Sequence, residues 1–198
     1  NEILRELVGY HNGLRPNPIH NEIVNINPFH IVTTNYDDLI ERAAINKNNV
    51  FTVIKRDKDL PYAISDRFII KMHGDWEEMN FVFKENDYLN YTNNHPLIES
   101  FIKGLFSSNL ILFVGYSFSD YNLKQIANWV KDILGKNFQP SYLFLDNQAN
   151  QHQELYFKER GITPIVYSPE ISAYLSDTKQ TDDLDIDERS RKTYDFLK

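Results

Sequence analysis

Two spacings of apolar residues alternate along this chain of 198 residues. Helical spacing opens it, with Ile3, Leu4, Leu7 and Val8 on one face, closed by Gly13 and followed by Pro16 and Pro18. A second short helix is expected through Ile19, Ile23 and Val24. Residues 29–34 (FHIVTT) are β-rich, whereas 37–45 (DDLIERAAI) return to helical spacing with an acidic first turn that suits the helix dipole. Further strands are expected at 50–55 (VFTVIK), 67–73 (RFIIKMH), 80–84 (NFVFK), 110–117 (LILFVGYS), 141–146 (SYLFLD) and 162–167 (ITPIVY). Helices are expected within 86–91, 96–106, 120–135 and 153–161, and residues 56–66 read as a loop with a short helix. The run at 110–117 is apolar almost throughout, the mark of a strand covered on both faces.

Strands alternating with helices predict an α/β fold: a Rossmann-like, doubly wound, mostly parallel sheet with helices on both faces. In such sheets ligands bind beyond the carboxyl ends of the strands, where the chain turns into the next helix. Four strand ends carry polar, chemically capable residues: Thr33-Thr34-Asn35-Tyr36-Asp37, His73-Gly74-Asp75, Gly115-Tyr116-Ser117, and Asp146-Asn147.

Each of these has a plain structural reading beside the functional one. Thr34, Asn35 or Asp37 can simply cap the following helix, or Asp37 can cap while the Asn35 carboxamide holds a ribose hydroxyl or a water. His73 can be a structural hydrogen-bonder or, with a side chain that titrates near neutrality, a general base, with Gly74 leaving room for a substrate. His11, His20, His30, His95 and His152 lack that setting and are expected to be structural or surface residues. Gly115-Tyr116-Ser117 is either a tight turn or a seat for phosphate or ribose on backbone N–H groups. Asp120 and Asn122 look like helix-capping material, and Asp146 is placed to hold ribose hydroxyls.

Composition narrows the classes. Hydrophobic residues make up 41% and aromatics 14%, which places the chain among globular sequences. A net charge of −7 without a basic run argues against nucleic acid as a partner of this segment, since such binding draws on phosphate neutralisation. With no cysteine, neither a disulfide scaffold, a Cys-based zinc site nor a Cys nucleophile can form. No apolar run is long enough to span a bilayer and no secretory pattern opens the chain, so a cytoplasmic setting without membrane contact is expected.

Taken in order, IVTTNYDDLIE, KMHGD and VGYSFSDYN resemble the sirtuin family. They are more similar still to the sirtuin-like domains of bacterial anti-phage defence proteins, of the defence-associated sirtuin and Thoeris types. The resemblance spans roughly Pro16 to Tyr167. It implies cleavage of the nicotinamide–ribose bond of NAD+, the substrate. Carried onto this chain, it makes Asn35 the residue that positions ribose or the attacking water and His73 the catalytic base. Thr34, Asp37, Gly115, Tyr116, Ser117 and Asp146 would contact the nucleotide.

Two departures shape the expectation. Deacylating sirtuins carry a zinc module of four cysteines, whereas the region after His73 here reads as a short strand plus helices, a helical insertion in place of that module. NAD+ hydrolysis to ADP-ribose and nicotinamide, without a metal, is therefore expected rather than zinc-dependent deacylation. The family's glycine-rich first strand and loop are expected upstream of Asn1, because the chain opens in mid-helix. The domain is read as residues 1–168, with 169–198 an acidic tail, final helix or linker toward a downstream region. The resemblance further implies NAD+ depletion in abortive infection, a homo-oligomer such as a tetramer, and a phage-derived trigger sensed by another region. Two alternatives remain open: a non-catalytic sensor of NAD+ or ADP-ribose, and an assembly domain built on apolar faces such as Leu97 to Phe106.

Overall fold

A computed structural model describes residues 13–116, 121–137, 141–168 and 187–198. The expected first helix at Ile3–Val8, Ser117 and Asp120, and most of the acidic tail lie outside the described residues. The chain divides into two compact units, Asn1–Ser100 and Phe101–Lys198. Each contains a three-stranded sheet in which every pairing is parallel. Parallel sheets with helices between the strands are the α/β, Rossmann-like arrangement that the alternating pattern predicts.

In the first unit, helix α1 (Pro18–Asn25) is followed by β1 (Ile31–Thr33), α2 (Leu39–Asn46), β2 (Thr52–Ile54) and β3 (Phe68–Lys71). Asn17 starts α1 by accepting the His20 N–H at 3.1 Å, and Pro18 occupies a first-turn position where no N–H is needed. Helix α2 buries Ile40, Ala43 and Ala44, a helical stripe that packs with Val24 of α1 and Ile69 of β3. The strand order β1-β3-β2 puts β3 in the middle. Both Ile69 and Ile70 are buried although successive side chains point to opposite faces, so this central strand is covered on both sides.

After β3 the chain makes two short helices, α3 (Glu85–Leu89) and α4 (Tyr91–Asn94), then the longer α5 (Pro96–Ser108). Residues 80–84, expected as a strand, form none. Val82 donates its N–H to the His73 carbonyl and its own carbonyl accepts the Tyr36 hydroxyl, and the Asn80 and Asp87 side chains take up neighbouring groups, so the segment is held by isolated bonds with no ladder. Phe83, apolar enough to suggest a strand, faces solvent. Along α5, Ile98, Ile102 and Phe106 are all buried, so most of the apolar face offered for assembly is consumed inside the protein. Asp57 begins that helix by accepting the N–H groups of Leu97 and Ile98.

The second unit continues with β4 (Ile111–Phe113), α6 (Tyr121–Leu134), β5 (Ser141–Leu145), α7 (Gln151–Glu159), β6 (Ile162–Val166) and α8 (Glu188–Leu197). Its sheet runs β4-β5-β6, and Pro164 is tolerated because β6 is an edge strand. Helix α8 starts on Asp187, which accepts the Ser190 N–H at 3.0 Å, and Phe196 stacks on Phe144 of β5 at 4.4 Å. The end of the chain is thus a helix packed on this sheet. No helix among the described residues is long and apolar enough to cross a membrane.

Candidate active site

The parallel register pairs Ile31 with Ile69, Val32 with Ile70 and Thr33 with Lys71. The Met72 N–H extends the ladder by one bond, reaching the Thr33 carbonyl at 2.9 Å. Asn35 and His73 each follow their last paired residue by two positions, so neighbouring strands deliver both to one carboxyl edge. Thr34, half-buried, leads to Asn35, whose backbone N–H donates to Thr33 Oγ1 at 3.1 Å and whose side chain is exposed. Asp37 does the capping: its Oδ1 accepts the Leu39 N–H at 3.1 Å at the start of α2.

His73 is 5% exposed and lies among aromatic rings. Tyr88 meets it edge-on at 5.6 Å between centroids, and Tyr36 stands at 6.4 Å. Tyr36 in turn packs edge-on against Trp76 and Phe81, which contact each other at 5.0 Å. The segment after His73 therefore folds back as an aromatic wall, which restricts water around the imidazole.

Gly74 plays a different part from the one expected. Its φ is +83°, and an added Cβ would lie 2.2 Å from the Asn80 carbonyl oxygen. The room left by the missing side chain is taken by the protein itself, with Asn80 Oδ1 accepting the Asp75 N–H and Asn80 Nδ2 donating to the Lys55 carbonyl. Beyond it, buried Asp75 pairs with Lys55 Nζ at 2.5 Å and accepts the Glu78 N–H at 2.8 Å. Lys55 also reaches Glu77, and Arg56 holds Glu78. Burial draws the Lys55 ammonium down, but its bonds to Asp75 and Glu77 carry it above the ordinary lysine value.

Lys71, two residues before His73, has a fully buried side chain. Its Nζ contacts Glu41 Oε1 of α2 at 2.9 Å and donates to the Asp37 carbonyl. Burial raises the Glu41 carboxyl above its ordinary value against the pull of Lys71, and Glu41 Oε2 has no hydrogen-bond partner among the described residues.

The remaining candidates lie in the second unit. Register pairs Phe113 with Leu143, so Tyr116 and Asp146 sit at matching positions past β4 and β5. Gly115 has φ +68°, with no atom of the described residues, apart from its chain neighbours, within 4 Å of where a Cβ would stand. Tyr116 is half-buried with its ring edge-on to Phe113 at 5.8 Å. Asp146, half-buried, faces Arg189 of α8 at 3.5 Å and accepts from the Asn147 amide. Ser117 lies outside the described residues. The other described histidines behave as structural or surface groups: His20 closes the α1 cap, His30 Nδ1 accepts the Phe68 N–H, His95 stacks on Tyr91, and His152 is exposed on α7. No group of three or more His, Asp or Glu side chains among the described residues could hold a metal ion.

Sequence reasoning missed Lys71, the Lys55–Asp75 pair and Arg189. Only Lys71 left a signal, as a lysine set inside the otherwise apolar run FIIKM.

A family model described as SIR2-like domain matches residues 30–165. Over 152 residues, 74% of this chain, it is 38% identical to Defense-associated sirtuin 2 of Bacillus subtilis, of which the match covers 15%. It is 33% identical over 133 residues to NAD(+) hydrolase ThsA of Cytobacillus dafuensis, covering 65% of this chain and 27% of that protein. A ThsA from Bacillus cereus (strain MSX-D12) is likewise 33% identical over 127 residues, 62% of this chain and 26% of the relative. The matches thus span about a quarter or less of the length of these relatives. The matched segment takes in both β1-Asn35 and β3-His73, and it covers more than half of the chain: the chain belongs to the SIR2-like domain family.

Proposed function

We propose that this domain carries the catalytic centre of an NAD+ hydrolase that splits the nicotinamide–ribose bond to give ADP-ribose and nicotinamide, acting in defence against phage. The observation that carries the reading is the delivery of Asn35 and His73, by matched strand positions, to one edge of one sheet. Relatives named NAD(+) hydrolase and defense-associated sirtuin support the substrate and the setting.

The chemistry follows from the two side chains. Loss of nicotinamide leaves positive charge at the anomeric carbon, and water adds there. The Asn35 carboxamide orients that water, and the His73 imidazole accepts its proton as the C–O bond forms. Rings of Tyr36 and Tyr88 beside the imidazole keep bulk water away from the reacting centre. Gly115, Tyr116 and Asp146, with Ser117, are assigned to the nucleotide, and Thr34 and Asp37 to the loop that carries Asn35.

The test is nicotinamide release from NAD+ by the protein that carries this chain. His73→Ala and Asn35→Ala are each expected to lower kcat by about 10²- to 10⁴-fold, with the fold intact by circular dichroism. Variants that keep the parent rate would remove the two residues from the mechanism. Binding of NAD+ without any nicotinamide release by the parent would replace the hydrolase with a sensor.

A further inference from the structure

A lysine with no exposed side-chain surface is costly, because its charge must be held by the protein alone. Lys71 meets that demand with only two described partners, the Glu41 carboxylate and the Asp37 carbonyl. Neither is a sheet contact. The Asp37 carbonyl belongs to the loop that contains Asn35 and enters α2, and Glu41 stands in the first turn of α2. On the strand itself, Lys71 is paired with Thr33, whose Oγ1 accepts the Asn35 N–H, and His73 follows two residues later.

The loop carrying Asn35 is therefore fastened at both ends. Upstream it is tied to Thr33 of β1, and downstream the Asp37 carbonyl is drawn onto the ammonium of β3. A carbonyl at the entry of α2 would otherwise face solvent or a helix N–H. Here it turns inward to a charge on the strand that ends at His73. One side chain spans the two elements that bear the proposed catalytic pair.

From this we infer that Lys71 is a positioning residue: through the Asp37 carbonyl it sets the place of Asn35 relative to His73, with Glu41 as the counter-ion that lets the ammonium stay buried. The inference rests on the hydrolase reading given above. Lys71 touches neither substrate nor reacting atoms, so its removal should appear in kcat while NAD+ still binds.

The experiment measures nicotinamide release and thermal midpoint for the parent protein, Lys71→Met, Glu41→Gln, and the double variant Lys71→Met/Glu41→Met. Lys71→Met alone strands a buried carboxylate and loses stability as well as activity. The double variant removes both charges and is expected to recover the midpoint, yet to keep a kcat about a hundredfold below the parent, the scale of an ångström-sized misplacement, with KM within about threefold. Glu41→Gln removes the counter-charge but keeps an amide oxygen within reach of Lys71, so it should lower the midpoint while keeping a kcat clearly above that of Lys71→Met. A double variant whose kcat lies within about twofold of the parent overturns the inference, as does a loss carried by KM alone. So does a Glu41→Gln kcat as low as that of Lys71→Met. If the parent itself releases no nicotinamide, the hydrolase reading falls and this inference with it; an active parent beside a fully active double variant removes the inference only.

Discussion

The two units finish their parallel strands in contrasting ways. In the first, the chain closes over its strand ends: Lys71 ties the β1 loop to β3, Lys55 and Asn80 pin the turn after His73, and the rings of Tyr36 and Tyr88 stand against the imidazole. In the second, the described strand ends are bare by comparison. Apart from its chain neighbours, no described atom lies within 4 Å of where a Gly115 Cβ would stand, and Asp146 meets an Arg189 that is itself largely exposed. On the proposed reading, a group at the first edge moves a proton and must be held within tenths of an ångström, a task that buried charges and packed rings serve. A group at the second edge would only seat part of a nucleotide, for which backbone N–H groups and a glycine with positive φ suffice.

That contrast can be broken by substitution, and the largest effect is expected at Gly74. Alanine there would place a Cβ against the Asn80 carbonyl in a backbone region that L-residues rarely adopt, at a cost of roughly 3–4 kcal/mol. Chemical denaturation of Gly74→Ala checks it. Lys55→Met comes next: it leaves the buried Asp75 carboxylate without its cation, and a loss of about 2–3 kcal/mol is expected after allowing for the partial exposure of Lys55. In the second unit Gly115→Ala meets no neighbour, so only the φ penalty remains, about 1 kcal/mol. An equal loss at Gly74 and Gly115 would erase the distinction between a closed and an open strand end.

Glu41 sharpens the same comparison through pH. Its carboxyl is raised in the folded protein, so the stability linked to its titration is fully present below the ordinary glutamate value and is lost as pH rises through the raised one. Glu41→Gln lacks that component. The melting temperature of the parent should therefore fall relative to that of the variant as pH climbs through this window, and a constant gap would show that the burial of Glu41 carries no such linkage. The smallest effect is expected at Arg189→Ala, where an exposed partner at 3.5 Å contributes no more than about 0.5 kcal/mol to stability.

Most of the fold was legible because it depends on local periodicity. The apolar stripe of α2, the β-rich run ending at Thr33 and the buried β5 all follow from residue spacing. The expected strand at 80–84 failed because the consecutive apolar residues Phe81 to Phe83 serve an irregular segment: Val82 is buried with its N–H on the His73 carbonyl, and Phe83 faces outward. Along α6, Val130 is buried whereas Ile133, equally apolar, is exposed.

For the site, residue type and position at strand ends put Asn35 and His73 among the candidates, since a parallel sheet places its carboxyl-edge residues on one side whatever the side chains do, and only the family resemblance gave them their expected roles. The shared edge of β1 and β3, however, depends on β3 lying between β1 and β2, a long-range pairing that no local pattern encodes. The partners of each charge are long-range facts of the same kind. Lys71 reaches Asp37 across 34 positions and Lys55 reaches Glu77 across 22, distances in sequence at which spacing carries no information. The sequence by itself determined which elements form and which polar residues stand at their ends, because those follow from backbone propensity and the period of apolar positions. Only the tertiary structure decided that Gly74 makes room for Asn80 and that a buried lysine fastens the Asn35 loop, because contact between segments far apart in sequence is set by how the whole core packs.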